Sequence, residues 1–251
     1  MDIRCSPGEM EILGKIAAAS RLLQMDSYVI GGFVRDKLLN RPTKDMDIVC
    51  IGDGILLAET VAKSFTPQPQ VSFFKTFGTA QIRLYNLPLV ETVLPEEQEA
   101  DHFLDIEFVG ARKESYSFDS RKPAVSPGTL EDDQNRRDFT INALAVSLNE
   151  KDFGKMIDPF GGQKDLENKL LRTPLAPDQT FSDDPLRMMR AVRFATQLGF
   201  TITNDTLKAI SRNAHRIKIV SRERVADELN KILLSEKPSI GFDHLYKTGL
   251  L

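Results

Sequence analysis

Between Val29 and Cys50 the chain reads VIGGFVRDKLLNRPTKDMDIVC, and this stretch narrows the possible folds more than any other. A short β-prone run ends in Gly31 and Gly32, a helical segment with Arg35 one turn in follows, and KDMDIV then alternates like a strand. Residues two apart on a strand point the same way, so Asp45 and Asp47 present two carboxylates to one face while Met46 and Ile48 present apolar side chains to the other. Glycines without a Cβ let backbone N–H groups approach an anion, the start of a helix adds partial positive charge, and Arg35 can fork onto phosphate oxygens. Paired carboxylates suit hard divalent cations, and Mg²⁺ prefers carboxylate oxygens shared with phosphates. Taken singly, the aspartates also read as a solvated strand and the glycines as a tight turn beside an exposed arginine. Together, one element at each end of a nucleoside triphosphate accounts for both.

With 251 residues, 41% of them hydrophobic, the chain can form one large domain or two modest ones, burying about 70% of its extended surface. The apolar runs are short and broken by charge, and the start, MDIRCSPGEM, has no basic region followed by an apolar core. A cytoplasmic protein with no membrane association is expected. Cys5 and Cys50 have no metal-site spacing and read as packing residues of a reducing compartment. His102, His215 and His244 are scattered and show no partner for acid–base work. A net charge of −3 argues against coating nucleic acid by bulk electrostatics, but charge is uneven. Glu91, Glu96, Glu97, Glu99, Asp101, Asp105 and Glu107 fall in a segment without Lys or Arg, whereas residues 201–240 carry eight Lys or Arg against five acids. That later segment reads either as a phosphate-tracking surface or as a solvated helical one.

The first half reads as mixed α/β. Helices are expected over Glu9–Gln24, from Arg35 to Leu39 and over Ile55–Phe65; strands over Ser27–Ile30 and Asp45–Ile51 and near 70–74, 79–85, 89–94 and 104–111. After KPAVSPGT, Lys122–Thr129, the pattern turns helical, near 137–147, 163–170, 184–198, 204–212 and 221–234. The division expected is residues 1–150 and residues 151–251, and the chain is expected to be a fragment of a longer protein. In the second part, Asp183, Arg187 and Arg190 fall within roughly 60° of one another on a helical projection, with Asp184 flanking Arg187 and Met188, Ala191, Val192 and Ala195 on the other side. An acid and an arginine one turn apart can offer an acceptor and donors to a base edge; the same spacing also makes an intrahelical ion-pair ladder. Asp138 and Asn142, four apart on the expected helix, share a face and can orient ribose hydroxyls or buttress a cleft.

Five ordered blocks carry a resemblance: GGFVRDKLLNRPTKDMDIV, then LEDDQNRRDFTINALAV, DPFGGQKDL, SDDPLRMMRAVRFATQLGF and a last block centred on SRERVADELNKIL from Ser221. The set resembles the class II tRNA nucleotidyltransferases, the CCA-adding enzymes, and their bacterial poly(A) polymerase relatives. The resemblance implies an α+β fold: a polymerase-beta-like nucleotidyltransferase head, a mixed, five-stranded or similar sheet flanked by helices, followed by an all-helical neck domain. It implies Mg²⁺ as cofactor, CTP and ATP as nucleotides and a tRNA 3′ end as acceptor, with release of pyrophosphate. Asp45 and Asp47 would hold metal, and a third catalytic carboxylate would come from a neighbouring strand: Glu107, five residues before Arg112, or Asp105 on the same face. Gly31, Gly32, Arg35 and Arg137 would take the triphosphate, Asp138 and Asn142 the ribose, Asp184 and Arg187 the base, with Arg190 and Arg193 in support. Many relatives have Glu-Asp where this chain has Asp183-Asp184, which leaves the role of Asp183 open. A poly(A) polymerase and a non-catalytic RNA-binding regulatory module are the competing readings, the second opposed by carboxylates that repel without a cation. The oligomeric state is not legible, and weak or absent tRNA affinity is expected of this chain.

Overall fold

The structure, a computed structural model, describes residues 1–74, 78–85, 103–117 and 120–251, without the side chains of 115–123. The strand expected at 89–94, five of the seven acids between Glu91 and Glu107, and His102 lie outside the described residues. The chain forms two compact units. One comprises Met1–Arg112, Pro127–Asp133 and Leu144–Asp158; the other comprises Lys113–Ser126, Gln134–Ala143 and Pro159–Leu251.

The first unit is built on a mixed sheet. Its strands are β1 (Ser27–Ile30), β2 (Asp45–Cys50), β3 (Val71–Phe74), β4 (Thr79–Tyr85) and β5 (Phe103–Gly110), joined by β8 (Ala145–Ser147) and β9 (Met156–Ile157). Among the described residues the spatial order is β3-β4-β5-β2-β1-β8-β9, two strands more than the five expected. Among the described strand pairs of this sheet, only β2–β5 is parallel. Alternation decides which face is covered. Met46, Ile48, Ile82, Ile106 and Phe108 have no solvent exposure, and α1 (Pro7–Leu22) and α3 (Gly54–Ala62) supply Ile12, Leu13, Ile16, Leu57 and Val61 to the same core. α1 begins with a reciprocal cap: the Glu9 amide donates to Ser6 Oγ at 3.2 Å and the Ser6 amide to Glu9 Oε2 at 2.8 Å. On the opposite sheet face, Ile30, Val49, Ala111 and Ala145 form a smaller apolar cluster. Cys50 is buried, which pushes its thiol up to about 12, in keeping with a packing role.

The second unit contains a two-stranded sheet, β10 (Leu170–Leu171) with β11 (Thr201–Ile202), and a helical array. Its helices are α5 (Gly162–Glu167), α6 (Pro177–Asp183), α7 (Leu186–Leu198), α8 (Asn204–Asn213), α9 (Arg222–Leu233) and α10 (Pro238–Thr248). Leu186, Met189 and Val192 of α7 pack with Val220, Ile232 of α9 and Leu245 of α10.

Two local expectations are corrected. Residues 137–147 are not a helix: Phe139 is extended, Thr140–Asn142 make a 3₁₀ turn and Ala145–Ser147 pair with β1. The strand ladder and the Thr140 amide's bond to the Arg172 carbonyl at 2.9 Å override the local propensity. Residues 184–198 do not form one helix with Asp183, because Pro185 lacks an N–H and disfavours helical backbone at Asp184, whose φ/ψ of −136°/99° separates α6 from α7. Most of KPAVSPGT lies in strand β7 (Ser120–Pro127), paired with β6 (Arg112–Ser117).

Candidate nucleotidyl-transfer residues in two units

In the first unit, sheet register brings the acids together. Asp45 is opposite Asp105 and Asp47 opposite Glu107 across the parallel β2–β5 pair. Parallel partners share a face, so four carboxylates form a two-by-two array, with Asp105 further opposite Arg83 and Glu107 opposite Gln81 on β4. The two alternatives for the third carboxylate are physically distinct. Asp105 is buried and accepts two hydrogen bonds from Arg83, Nε to Oδ1 at 2.6 Å and an Nη to Oδ2 at 2.7 Å. Glu107 is exposed beside half-buried Asp47. The Asp45 carboxyl is raised above its usual range, first by burial and then by repulsion from Asp105, with Arg83 opposing. Hard oxygen donors that repel one another fit a divalent cation. Among the described residues no three His, Cys, Asp or Glu side chains are gathered closely enough to cage an ion alone.

Gly31 follows β1 with φ 81° and ψ −134°, a conformation closed to L side chains, and its amide donates to the Leu144 carbonyl at 3.1 Å. Gly32 opens α2 (Gly32–Leu38), and an added Cβ there would sit 3.6 Å from Arg35 Nη2. Arg35 itself is buried and makes a bidentate pair with Asp36, 2.9 and 2.7 Å.

In the second unit the residues of three blocks meet. Asp138 is buried; its Oδ1 accepts from Asn142 Nδ2 at 2.9 Å and its Oδ2 from Arg190 Nε at 2.7 Å. Burial pushes this carboxyl up, but the charge of Arg190, the Asn142 amide and the charge of Arg187 together outweigh it and lower it to about 2. The Asp138–Asn142 contact expected of a helix is thus made by a 3₁₀ turn instead. Arg187 is buried and donates to the Arg136 carbonyl at 2.6 Å, while Arg136 lies 3.5 Å from Glu114. The Arg137 amide donates to the Gln134 carbonyl at 3.2 Å, and its side chain is half-buried. Asp184 caps the break, its Oδ1 accepting from the Leu186 amide at 3.2 Å. Asp183 is raised, by burial first, with Arg187 and Arg216 pulling it down and Glu114 pushing it up. Arg193 pairs with buried Glu228 of α9, which Lys231 also approaches at 3.3 Å. Rings join this cluster: Phe194 lies under Arg193 at 3.9 Å and Arg190 at 5.4 Å and meets Phe139 edge-on at 5.8 Å.

Sequence reasoning missed Arg83, Glu228, and the Thr140–Asp165–Arg172 group in which Thr140 Oγ1 donates to Asp165 at 2.5 Å and Arg172 lies 2.9 Å away. Arg83–Asp105, Thr140–Asp165 and Arg193–Glu228 are each 22 or more residues apart, so no local spacing marks them.

Comparison with known proteins gives concordant matches. Residues 27–172 match the family model for the poly(A) polymerase head domain, and residues 199–251 one described as a probable RNA and SrmB binding site of polymerase A. The A-adding tRNA nucleotidyltransferase of Aquifex aeolicus is 37% identical over 88% of this chain and 24% of its own length. The CCA-adding enzyme of Ligilactobacillus salivarius is 36% identical over 96% of this chain and 52% of its own. A solved tRNA nucleotidyltransferase, complexed with a primer tRNA and an incoming ATP analog, superposes with a TM-score of 0.75 at 31% identity, covering 94% of this chain and 61% of that one. The chain therefore spans a quarter to about half the length of these curated relatives.

Proposed function

Because the chain belongs to the family built on the poly(A) polymerase head domain, we propose that it is a Mg²⁺-dependent, template-independent nucleotidyltransferase that joins CTP- and ATP-derived nucleotides to a tRNA 3′ end and releases pyrophosphate. The observation that carries this reading is the register of β2 and β5, which sets Asp45 and Asp47 on one sheet face beside Glu107 while Arg83 neutralises Asp105. The described donors fit a hard divalent cation: Asp45 and Asp47 would hold Mg²⁺, with Glu107 as the third carboxylate. When bound, Mg²⁺ supplies positive charge that acidifies the acceptor hydroxyl and offsets charge on the phosphates. Gly31, whose own amide is spent on the Leu144 carbonyl, contributes the turn rather than a donor, Gly32 offers its backbone amide and Arg35 a guanidinium for phosphate oxygens.

The second unit divides its labour by the same reasoning. Asp138 holds Arg190 and turns the Asn142 amide, a pair able to orient ribose hydroxyls. The Arg136 carbonyl orients Arg187, which with Asp184 offers donors and an acceptor to a base edge. Arg137 contributes charge toward the triphosphate, and Arg193, tied to Glu228, supports α7. The division expected, residues 1–150 for chemistry and 151–251 for base recognition, is part of the proposal, as is a cytoplasmic location; no described helix is long and apolar enough to cross a membrane.

A second reading, ATP-only addition or a poly(A) polymerase, is favoured by the family description and the A-adding relative. Incubating the protein with tRNA lacking its terminal triplet, with CTP, ATP or both, and sizing the products separates these readings. Dependence of the product on both nucleotides supports CCA addition, and long ATP-only products support the second reading. No product with any combination, or wild-type rates from both Asp45→Asn and Asp47→Asn, would remove the proposal.

A further inference from the structure

The carboxylate face of the first unit continues past Asp105 into a hollow that the roles above leave unused. The hollow measures about 740 Å³, within the range of small-ligand sites, and Gln68, Gln70, Ser72, Gln81, Arg83 and Tyr85 are among the residues lining it. Its position follows from register. Arg83 and Gln81 lie opposite Asp105 and Glu107, and Tyr85 lies opposite Phe103. Two strand spacings of about 4.8 Å put the Arg83 backbone roughly 10 Å from Asp45, a span of about three stacked nucleotides at 3.4 Å each, fewer if the strand is extended.

We infer that this hollow takes the base of a single-stranded RNA nucleotide just upstream of the reacting 3′ end, stacked on Tyr85 and read by the carboxamides of Gln68 and Gln70. The choice of RNA rests on the proposed function; the chemistry rests on the lining. Each carboxamide is both donor and acceptor and carries no charge, which suits a base edge. Tyr85 is 57% exposed, and an aromatic ring at the surface can stack with any base. Arg83, already bound to Asp105, lies 4.3 Å over the Phe103 ring, and Lys44 approaches the same ring at 5.6 Å. These two cations flank the route from the hollow to Asp45 and suit a phosphodiester. A triphosphate would need more cations than Arg83, the single one among the described lining residues.

The test is photocrosslinking with short single-stranded RNAs carrying 4-thiouridine near a free 3′ hydroxyl, with adducts mapped by mass spectrometry and affinity read by fluorescence anisotropy. Adducts are expected within residues 65–72 or 81–85. Losing one base–aromatic stack should raise the RNA Kd of Tyr85→Ala about 5- to 100-fold, while Tyr85→Phe, which keeps the ring, stays near wild type. The variant should fold, given the exposure of the ring. Unchanged affinity in Tyr85→Ala, adducts confined to other segments, no adduct at all, or labelling of this hollow by azido-ATP would each overturn the inference. CTP and ATP binding, measured separately, tests the proposed function: its absence would sink that reading while leaving the adduct map to decide this one.

Discussion

Asp105 and Glu107, two apart on β5, show how a carboxylate's partner sets its use. Asp105 is neutralised by Arg83, so Asp105→Asn should reduce nucleotide incorporation less than Glu107→Gln, with steady-state rates on a tRNA acceptor as the measurement. Equal loss from both would place the two carboxylates on the same footing. Asp138 makes a different prediction. Its folded pKa, about 2, lies below its unfolded value of 3.8, so its ionised form stabilises the fold. That contribution, on the order of 2 kcal/mol, is fully present above the unfolded pKa and lost as pH falls through the folded one. Acid titration of stability should therefore show a drop between about pH 4 and 2 in the wild type that is absent in Asp138→Asn. The substitution itself should cost about 2–3 kcal/mol in urea unfolding, less than a fully buried pair because 35% of the Arg190 side chain remains exposed. The paired aspartates of β2 were readable because a strand's period of two is local. The ties of Arg83 to Asp105 and Arg193 to Glu228 were not, since each depends on elements far apart in sequence meeting.

At the level of elements, Pro185 and Gly241 mark where packing and backbone chemistry outrank periodicity. The 3.6-residue pattern of Leu186–Leu198 was legible, and Met188, Ala191, Val192 and Ala195 are all buried as that pattern requires. It extended too far because helical projection ignores what proline does to the residue before it. The misassigned 137–147 helix has the other cause: Ile141 and Leu144 fit a helical face, yet β1 offers a strand edge that Ala145–Ser147 complete. Gly241 of α10 has no such sequence signal. A Cβ there would lie 2.4 Å from Ile232 Cγ2 and 2.8 Å from Thr196 Oγ1, so α10 approaches α7 and α9 only because that position is bare. Gly241→Ala should destabilise the protein by about 1–3 kcal/mol despite its better helix propensity, measurable as a lowered urea midpoint with unchanged slope. A rise in stability would mean the three helices separate freely there.

For the whole molecule, ligand binding should appear as stability. With CTP or ATP at about 100 times Kd in the presence of Mg²⁺, binding to the folded state alone adds about 2.7 kcal/mol, which for a chain of this size is a rise of roughly 5–10 °C in Tm. The rise should vanish with chelator and in Asp45→Asn; a shift independent of both would separate nucleotide binding from the β2 carboxylates. The net charge of −3 sets a second expectation, that tRNA is held weakly in a gel shift at low salt, and tight binding would contradict it. By itself, the sequence determined the elements and the chemistry they carry: the strand with two carboxylates on one side, the diglycine turn, the order of five blocks and most of the helices. All of these depend on periodicity and backbone freedom within a few residues. Tertiary structure alone decided which acid stands beside Asp47, which arginine neutralises Asp105 and which holds Asp138, and where a helix gives way to a strand. Those outcomes depend on register and burial, which set a charge's partner through contacts that the linear order of residues does not contain.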